Sequence, residues 1–157
     1  MTTIVGIDPG ITGALAMYDP ASGRVLKVED MPISAKGTGH GNQVAAHVLA
    51  TLLRSWVPSL AIVEAQGAMP KQGVTSMLSL GRTMGVIEGV LAALEVPYVT
   101  VRPGEWKRRA GLLKADKDQS RTLALQLNPQ FAEALRRQKD HGRAEAMLIA
   151  RFGAKPT

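Results

Sequence analysis

A chain of 157 residues, 45 % hydrophobic and 20 % charged, suffices for one domain around one core and is too apolar for a disordered polyelectrolyte. Cysteine is absent, which excludes disulfides, zinc–thiolate centres and a cysteine nucleophile. With 19 Lys and Arg against 13 Asp and Glu, the net charge of +6 points to a polyanionic partner, of which nucleic acid is the common one.

The first predicted strand is the apolar, β-branched run Thr3–Ile7, stopped by Asp8-Pro9-Gly10. No basic and apolar leader precedes it, and no apolar run approaches the ~20 residues of a bilayer span, so a soluble cytoplasmic protein without a membrane role is expected. Thr12–Tyr18 and Val25–Val28 read as second and third strands, joined by the hairpin loop Asp19–Gly23. Lys36–Asn42 is Gly-rich and polar and reads as a loop. A helix is predicted over Gln43–Trp56, ended by Pro58. Leu60–Val63 is a short buried strand with Glu64 at its end, and Gln66–Gly73 is a loop. Val74–Leu94 is the longest helical segment, and Pro97–Val101 is the fifth strand. Gly104–Ala110, Lys117–Leu127 and Pro129–Arg137 read as helices, and Asp140 opens a last one ending near Gly153. No repeat is present, and one domain over residues 1–157 is expected.

Three strands, then alternating helix and strand, imply a mixed five-stranded α/β sheet with helices on both faces. That order matches the RNase H-like fold, although other α/β folds share parts of it.

Four acidic residues and one histidine are candidate chemistry. Asp8 and Glu64 each end an apolar strand. An Asp-Pro-Gly turn or a solvated strand end accounts for either alone. Together they are candidate ligands, since neighbouring strands lie about 4.8 Å apart and the two carboxylates can converge. Glu145 interrupts the apolar run Ala144–Ala150, where a carboxylate is costly unless paired or metal-bound. His141 lies one turn before Glu145 on the same face, and is equally well read as a solvated first-turn residue. Asp140 suits the helix N-cap, its carboxylate accepting backbone N–H bonds. Such a set favours hard cations, Mg²⁺ or Mn²⁺. A pair of ions suits phosphodiester hydrolysis, one activating water and the other stabilising the leaving 3′-oxygen.

At these positions the sequence resembles the RuvC-type Holliday junction resolvases. The resemblance is carried by Gly6-Ile7-Asp8-Pro9-Gly10 with Thr12–Ala16, by Val63-Glu64 and the loop to Gly73, by Ser79–Gly85, by Val99–Lys107, and by Ala144–Ala150. It spans nearly the whole chain in the right order. The loop Met69–Gly73 and the pair Trp106-Lys107 look closest to phage-type members. The resemblance implies a crossover junction endodeoxyribonuclease, with two metal ions held by Asp8, Glu64, Glu145 and a third-position ligand. Three residues before Glu145, the family's spacing, stands Gly142, which has no side chain. His141 is the better candidate for the missing ligand and Asp140 the runner-up.

The resemblance also implies that the basic residues between the fifth strand and the last helix lie against branched DNA. These are Lys107, Arg108, Lys114, Lys117 and Arg121, with Lys107 and Lys114 nearest the scissile phosphate and Lys107 taking part in catalysis. Arg82, in the Ser79–Gly85 segment, is a further DNA-contact candidate. The loop after Glu64, with Met69, Lys71 and Gln72, is read either as a connector or as a probe entering the junction centre. Gly81, Gly85 and Gly89 recur every four residues on the long helix, either packing on the protein's own sheet or forming the contact of a homodimer, the assembly that suits a two-fold junction. Two other readings stay open. A small actin-like ATPase shares the Gly-Ile-Asp-Pro-Gly and Thr-Gly elements, but the chain is short for two lobes. A junction-binding protein that does not cut is compatible with the odd spacing before Glu145.

Overall fold

The computed structural model describes residues 1–34 and 42–154. The loop expected over Lys36–Asn42 therefore lies, apart from Asn42, outside the described residues. Strands β1 (Ile4–Asp8), β2 (Ala14–Asp19) and β3 (Arg24–Asp30) form an antiparallel meander, with Asp8 opposite Ala14. Strands β4 (Ile33–Ser34) and β5 (Gln43–Val44) form a separate two-residue ladder. Helix α1 (Ala46–Trp56) leads to β6 (Leu60–Glu64), α2 (Val74–Ala93) to β7 (Tyr98–Val101), and α3 (Pro103–Arg109), α4 (Lys117–Leu127) and α5 (His141–Phe152) close the chain. The main sheet has five strands in the order β3-β2-β1-β6-β7, with β1, β6 and β7 parallel.

Each sheet face carries its own core layer. Val5, Ile7, Leu15, Ala61 and Val63 point to α1 and α2, where Leu49, Leu53, Ile87 and Leu91 meet them. The alternate residues, including Ile4, Ala14, Ala16 and Ile62, point to α3, α4 and α5, where Trp106, Met147 and Leu148 lie. The alternation follows from the period of two along a strand. Helix α5 crosses β1 at backbone contact. A Cβ at Gly6 would run into the Ala146 carbonyl and the Ala150 nitrogen, so only glycine admits the helix there.

Two expectations change, and one of two open readings falls. The helix expected from Gln43 starts at Ala46, because Gln43 and Val44 pair with Ser34 and Ile33. Pro129–Arg137 holds only a single 3-10 turn, Pro129–Phe131. The Arg121 guanidinium donates to the carbonyls of Leu135 (3.1 Å) and Arg136 (3.0 Å), and Leu135 is fully buried, so tertiary contacts set this segment. The glycine stripe of α2 does not pack on the protein's own sheet: Gly81, Gly85 and Gly89 are exposed, and a Cβ at each would meet nothing within 4 Å. Among the described residues no helix is long and apolar enough to cross a membrane.

Candidate active site

The parallel pairing of β1 with β6 sets Ile7 beside Val63, so the next residues, Asp8 and Glu64, emerge side by side at the same sheet edge. Helix α5 lays Glu145 over them. One carboxylate oxygen from each of Asp8, Glu64 and Glu145 lies within 4.8 Å of the other two. Asp8 and Glu64 are 9 % and 6 % exposed, so bulk water does little to separate the charges.

That crowding shifts proton affinity. The Asp8 carboxyl is pushed up to about 8, first by burial and then by the negative charges of Glu145 and Glu64; the Lys117 and Lys107 ammonium groups pull the other way. Burial also raises Glu64, with Glu145 adding to it, against an opposing hydrogen bond from Trp106. The indole Nε1–H of fully buried Trp106 donates to Glu64 Oε2 at 2.6 Å, and Gln66 Nε2 donates to Oε1 at 3.1 Å. Three converging carboxylates, two of them more proton-hungry than usual, make a donor set that fits a hard divalent cation.

Neither candidate for a further ligand joins that group. His141 begins α5 with its ring turned to neighbours: Nε2 lies 3.5 Å from Lys117 Nζ and Nδ1 lies 3.4 Å from the Gln138 carbonyl. Asp140 stands at the N-cap position, but its carboxylate makes no cap to α5. It turns back to the Arg137 backbone N–H at 2.8 Å and to the Arg137 guanidinium at 2.9–3.2 Å. Those bonds hold its carboxyl below the usual range. Arg143 extends the network, with Nη1 3.8 Å from Asp140 and a two-bond fork of 2.7 Å each to Asp30. Gly142 lies against the β1–β2 turn. A Cβ there would sit 2.5 Å from the Thr12 carbonyl and 3.4 Å from Asp8 Oδ2, so the position that the three-residue spacing points to has no room for a side chain.

The basic candidates divide. Lys107 and Lys117 act electrostatically on Asp8. Arg108 and Lys114 are exposed, and Lys114 has a left-handed φ of 68°. Arg121 faces inward to the carbonyls named above and to Asp118 at 3.1 Å. Arg82 is exposed on α2 and borders a small cavity with Asn42 and Ser79. In the loop after Glu64, Met69 is 68 % exposed at a turn closed by two bonds, Gln72 N–H to the Met69 carbonyl and Met69 N–H to Gln72 Oε1. Lys71 occupies the left-handed region within it, at φ 65°. A cleft of about 490 Å³ runs from the turn after Asp8 to the start of α2, and hydroxyls of Thr12, Thr75, Ser76 and Ser79 line it. The residues that sequence reasoning missed are Trp106 and Gln66. A tryptophan buried whole needs a partner for its N–H, which was the available signal for the first; nothing local marked the second.

No protein-family model matches the chain. It is similar to the crossover junction endodeoxyribonuclease RuvC of Nitratidesulfovibrio vulgaris, 34 % identical over 122 residues, covering 74 % of this chain and 72 % of that protein. A chloroplastic Holliday junction resolvase of Chlamydomonas reinhardtii is 39 % identical over 93 residues, 56 % of this chain and 10 % of that protein. Among solved structures, Thermus thermophilus RuvC in complex with Holliday junction substrate superposes with a TM-score of 0.68 at 20 % identity, covering 97 % of this chain and 92 % of that one. The fold is thus shared with the solved RuvC structures, in line with the RNase H-like strand order.

Proposed function

The chain belongs to the RuvC family of crossover junction endodeoxyribonucleases, and from that premise we propose that it resolves four-way DNA junctions by metal-dependent phosphodiester hydrolysis. The observation that carries this reading is the convergence of Asp8, Glu64 and Glu145 within 4.8 Å at one end of β1 and β6. The metal is proposed to be Mg²⁺, with Mn²⁺ substituting, as two ions held by these three carboxylates; His141, one turn before Glu145 on α5, is the proposed further ligand once its ring leaves the Lys117 and Gln138 contacts. When bound, such ions stabilise the charge that develops on the attacking and leaving oxygens.

The chain's own groups supply the rest. Asp8, whose proton affinity is raised by burial and by Glu145 and Glu64, would bind a cation in competition with a proton. Lys107 and Lys117 flank the carboxylates and draw a backbone phosphate toward them. Arg108 and Lys114 extend this positive surface, and phosphate contacts of this kind fix DNA without reading its sequence. Met69 and Gln72 lie against the junction centre, and the hydroxyl-lined cleft beside Asp8 accommodates the strand. The exposed glycine stripe of α2, flanked by Leu78 (74 % exposed) and Val74 (84 % exposed), is the proposed homodimer contact, giving two sites for paired nicks.

Incubation with a synthetic four-way junction and Mg²⁺ tests the proposal. Paired, symmetric nicks that vanish with chelator are expected. Tight junction binding with no nick at any Mg²⁺ or Mn²⁺ concentration would leave a binding protein that does not cut.

A further inference from the structure

The geometry points to Trp106 as a positioning residue for the metal centre, holding the Glu64 carboxylate in one orientation through its indole N–H. This inference rests on the reading of Asp8, Glu64 and Glu145 as a cation site. Glu64 is buried, and both of its oxygens are already engaged, Oε2 by Trp106 at 2.6 Å and Oε1 by Gln66 at 3.1 Å.

The chemistry of those two donors is what matters. A carboxylate has about four lone-pair directions. Two neutral N–H groups use one on each oxygen and leave the negative charge unneutralised for a cation. An arginine in the same place would orient the group and also cancel its charge, as Arg137 and Arg143 do at Asp140. Trp106 suits the task because it cannot drift. Its ring is fully buried in the layer with Met147 and Leu148, on the second turn of a short helix that begins where β7 ends. Lys107, the next residue, folds back so that its Nζ lies 5.4 Å from the centre of the Trp106 ring, within reach of a cation–π contact. One indole therefore touches both a proposed ligand and a proposed phosphate contact, and sets them relative to each other. Removing such an orienting partner typically lowers metal affinity by 10–100-fold.

The test reads metal binding directly. Mn²⁺ titration followed by the resonance of free Mn²⁺ compares the wild-type protein with Glu64→Gln, Trp106→Phe, and a protein carrying benzothienylalanine at position 106, where sulfur replaces the indole N–H within the same ring shape. Expected are weak binding by Glu64→Gln and binding at least about tenfold weaker in both Trp106 variants. If Trp106→Phe fails to fold, the benzothienylalanine protein decides. In a Trp56→Phe background, whose lost ring lies in the opposite core layer, Mg²⁺ should shift the emission of the single remaining indole, and Glu64→Gln should remove the shift. Wild-type Mn²⁺ affinity in the benzothienylalanine protein, with Glu64→Gln impaired, overturns the positioning role and leaves the metal site standing. Wild-type affinity in Glu64→Gln overturns the metal site and this inference with it.

Discussion

Two acidic clusters meet at the start of α5, and they are treated in opposite ways. Asp8, Glu64 and Glu145 face one another, with neutral donors on Glu64 and the charges of Lys107 and Lys117 acting on Asp8. Asp140 and Asp30 are tied by the guanidinium forks of Arg137 and Arg143. The carboxyls of Asp8 and Glu64 titrate above the usual range and those of Asp140 and Asp30 below it. The difference teaches that a carboxylate's task is written in its partners. An arginine fork makes it a brace, whereas crowding among carboxylates that only nearby lysine charges offset makes it a donor set for a cation.

The largest effect should separate the clusters outright. Asp8→Asn is expected to reduce junction cutting by at least about a thousandfold while leaving junction binding intact. Asp140→Asn is expected to keep cutting within about tenfold and to lower the melting temperature by roughly 3 °C, the scale of a lost partly exposed ion pair. A folded Asp140→Asn protein that no longer cuts would move Asp140 from brace to ligand and break the division.

His141 sharpens the boundary, since it sits between the clusters. His141→Ala is expected to cost about 10–100-fold in cutting, recovered in part by raising the metal concentration. Cutting at the wild-type rate would assign the ring to its Lys117 and Gln138 contacts alone.

The smallest effect is on stability. Asp8 has a folded-state pKa raised to about 8 above an ordinary carboxyl value of 3.8, so its contribution is complete below pH 4 and fades as pH rises toward 8. The fork-bound Asp140 and Asp30 behave inversely, contributing above their ordinary range and fading in acid. Metal-free protein should therefore melt lower at pH 8 than at pH 6. Asp8→Asn or saturating Mg²⁺ should each raise the pH 8 melting temperature by on the order of 5 °C. Scanning calorimetry across this range checks it. A melting temperature independent of both pH and Mg²⁺ between pH 6 and 8 would mean that the three carboxylates do not share a site.

Much of this arrangement was legible in the sequence, for local reasons. Apolar runs ending in Asp8 and Glu64 announce strands that deliver a charge to a sheet edge, and the lone acid in Ala144–Ala150 announces itself by its setting. What was not legible depends on contacts between distant residues. The Pro129–Arg137 segment has a helical pattern, but Arg121 and the burial of Leu135 hold it in another course. Asp140 looks like a cap until Arg137 and Arg143 are seen to enclose it. The bond from Trp106 to Glu64 joins residues 42 apart in sequence, which no spacing rule reaches. Gly142 reads as a missing ligand; in three dimensions it is the clearance that lets α5 approach the turn after Asp8.

The seating of α5 against Gly6 has a consequence for folding. Asp8 and Glu145 lie far apart in the sequence, and their carboxylates meet only when α5 docks across β1. Contacts between such distant parts of a chain make for slow folding. A chain with α5 undocked carries an incomplete carboxylate set, so the cluster is completed in one docking step rather than gradually.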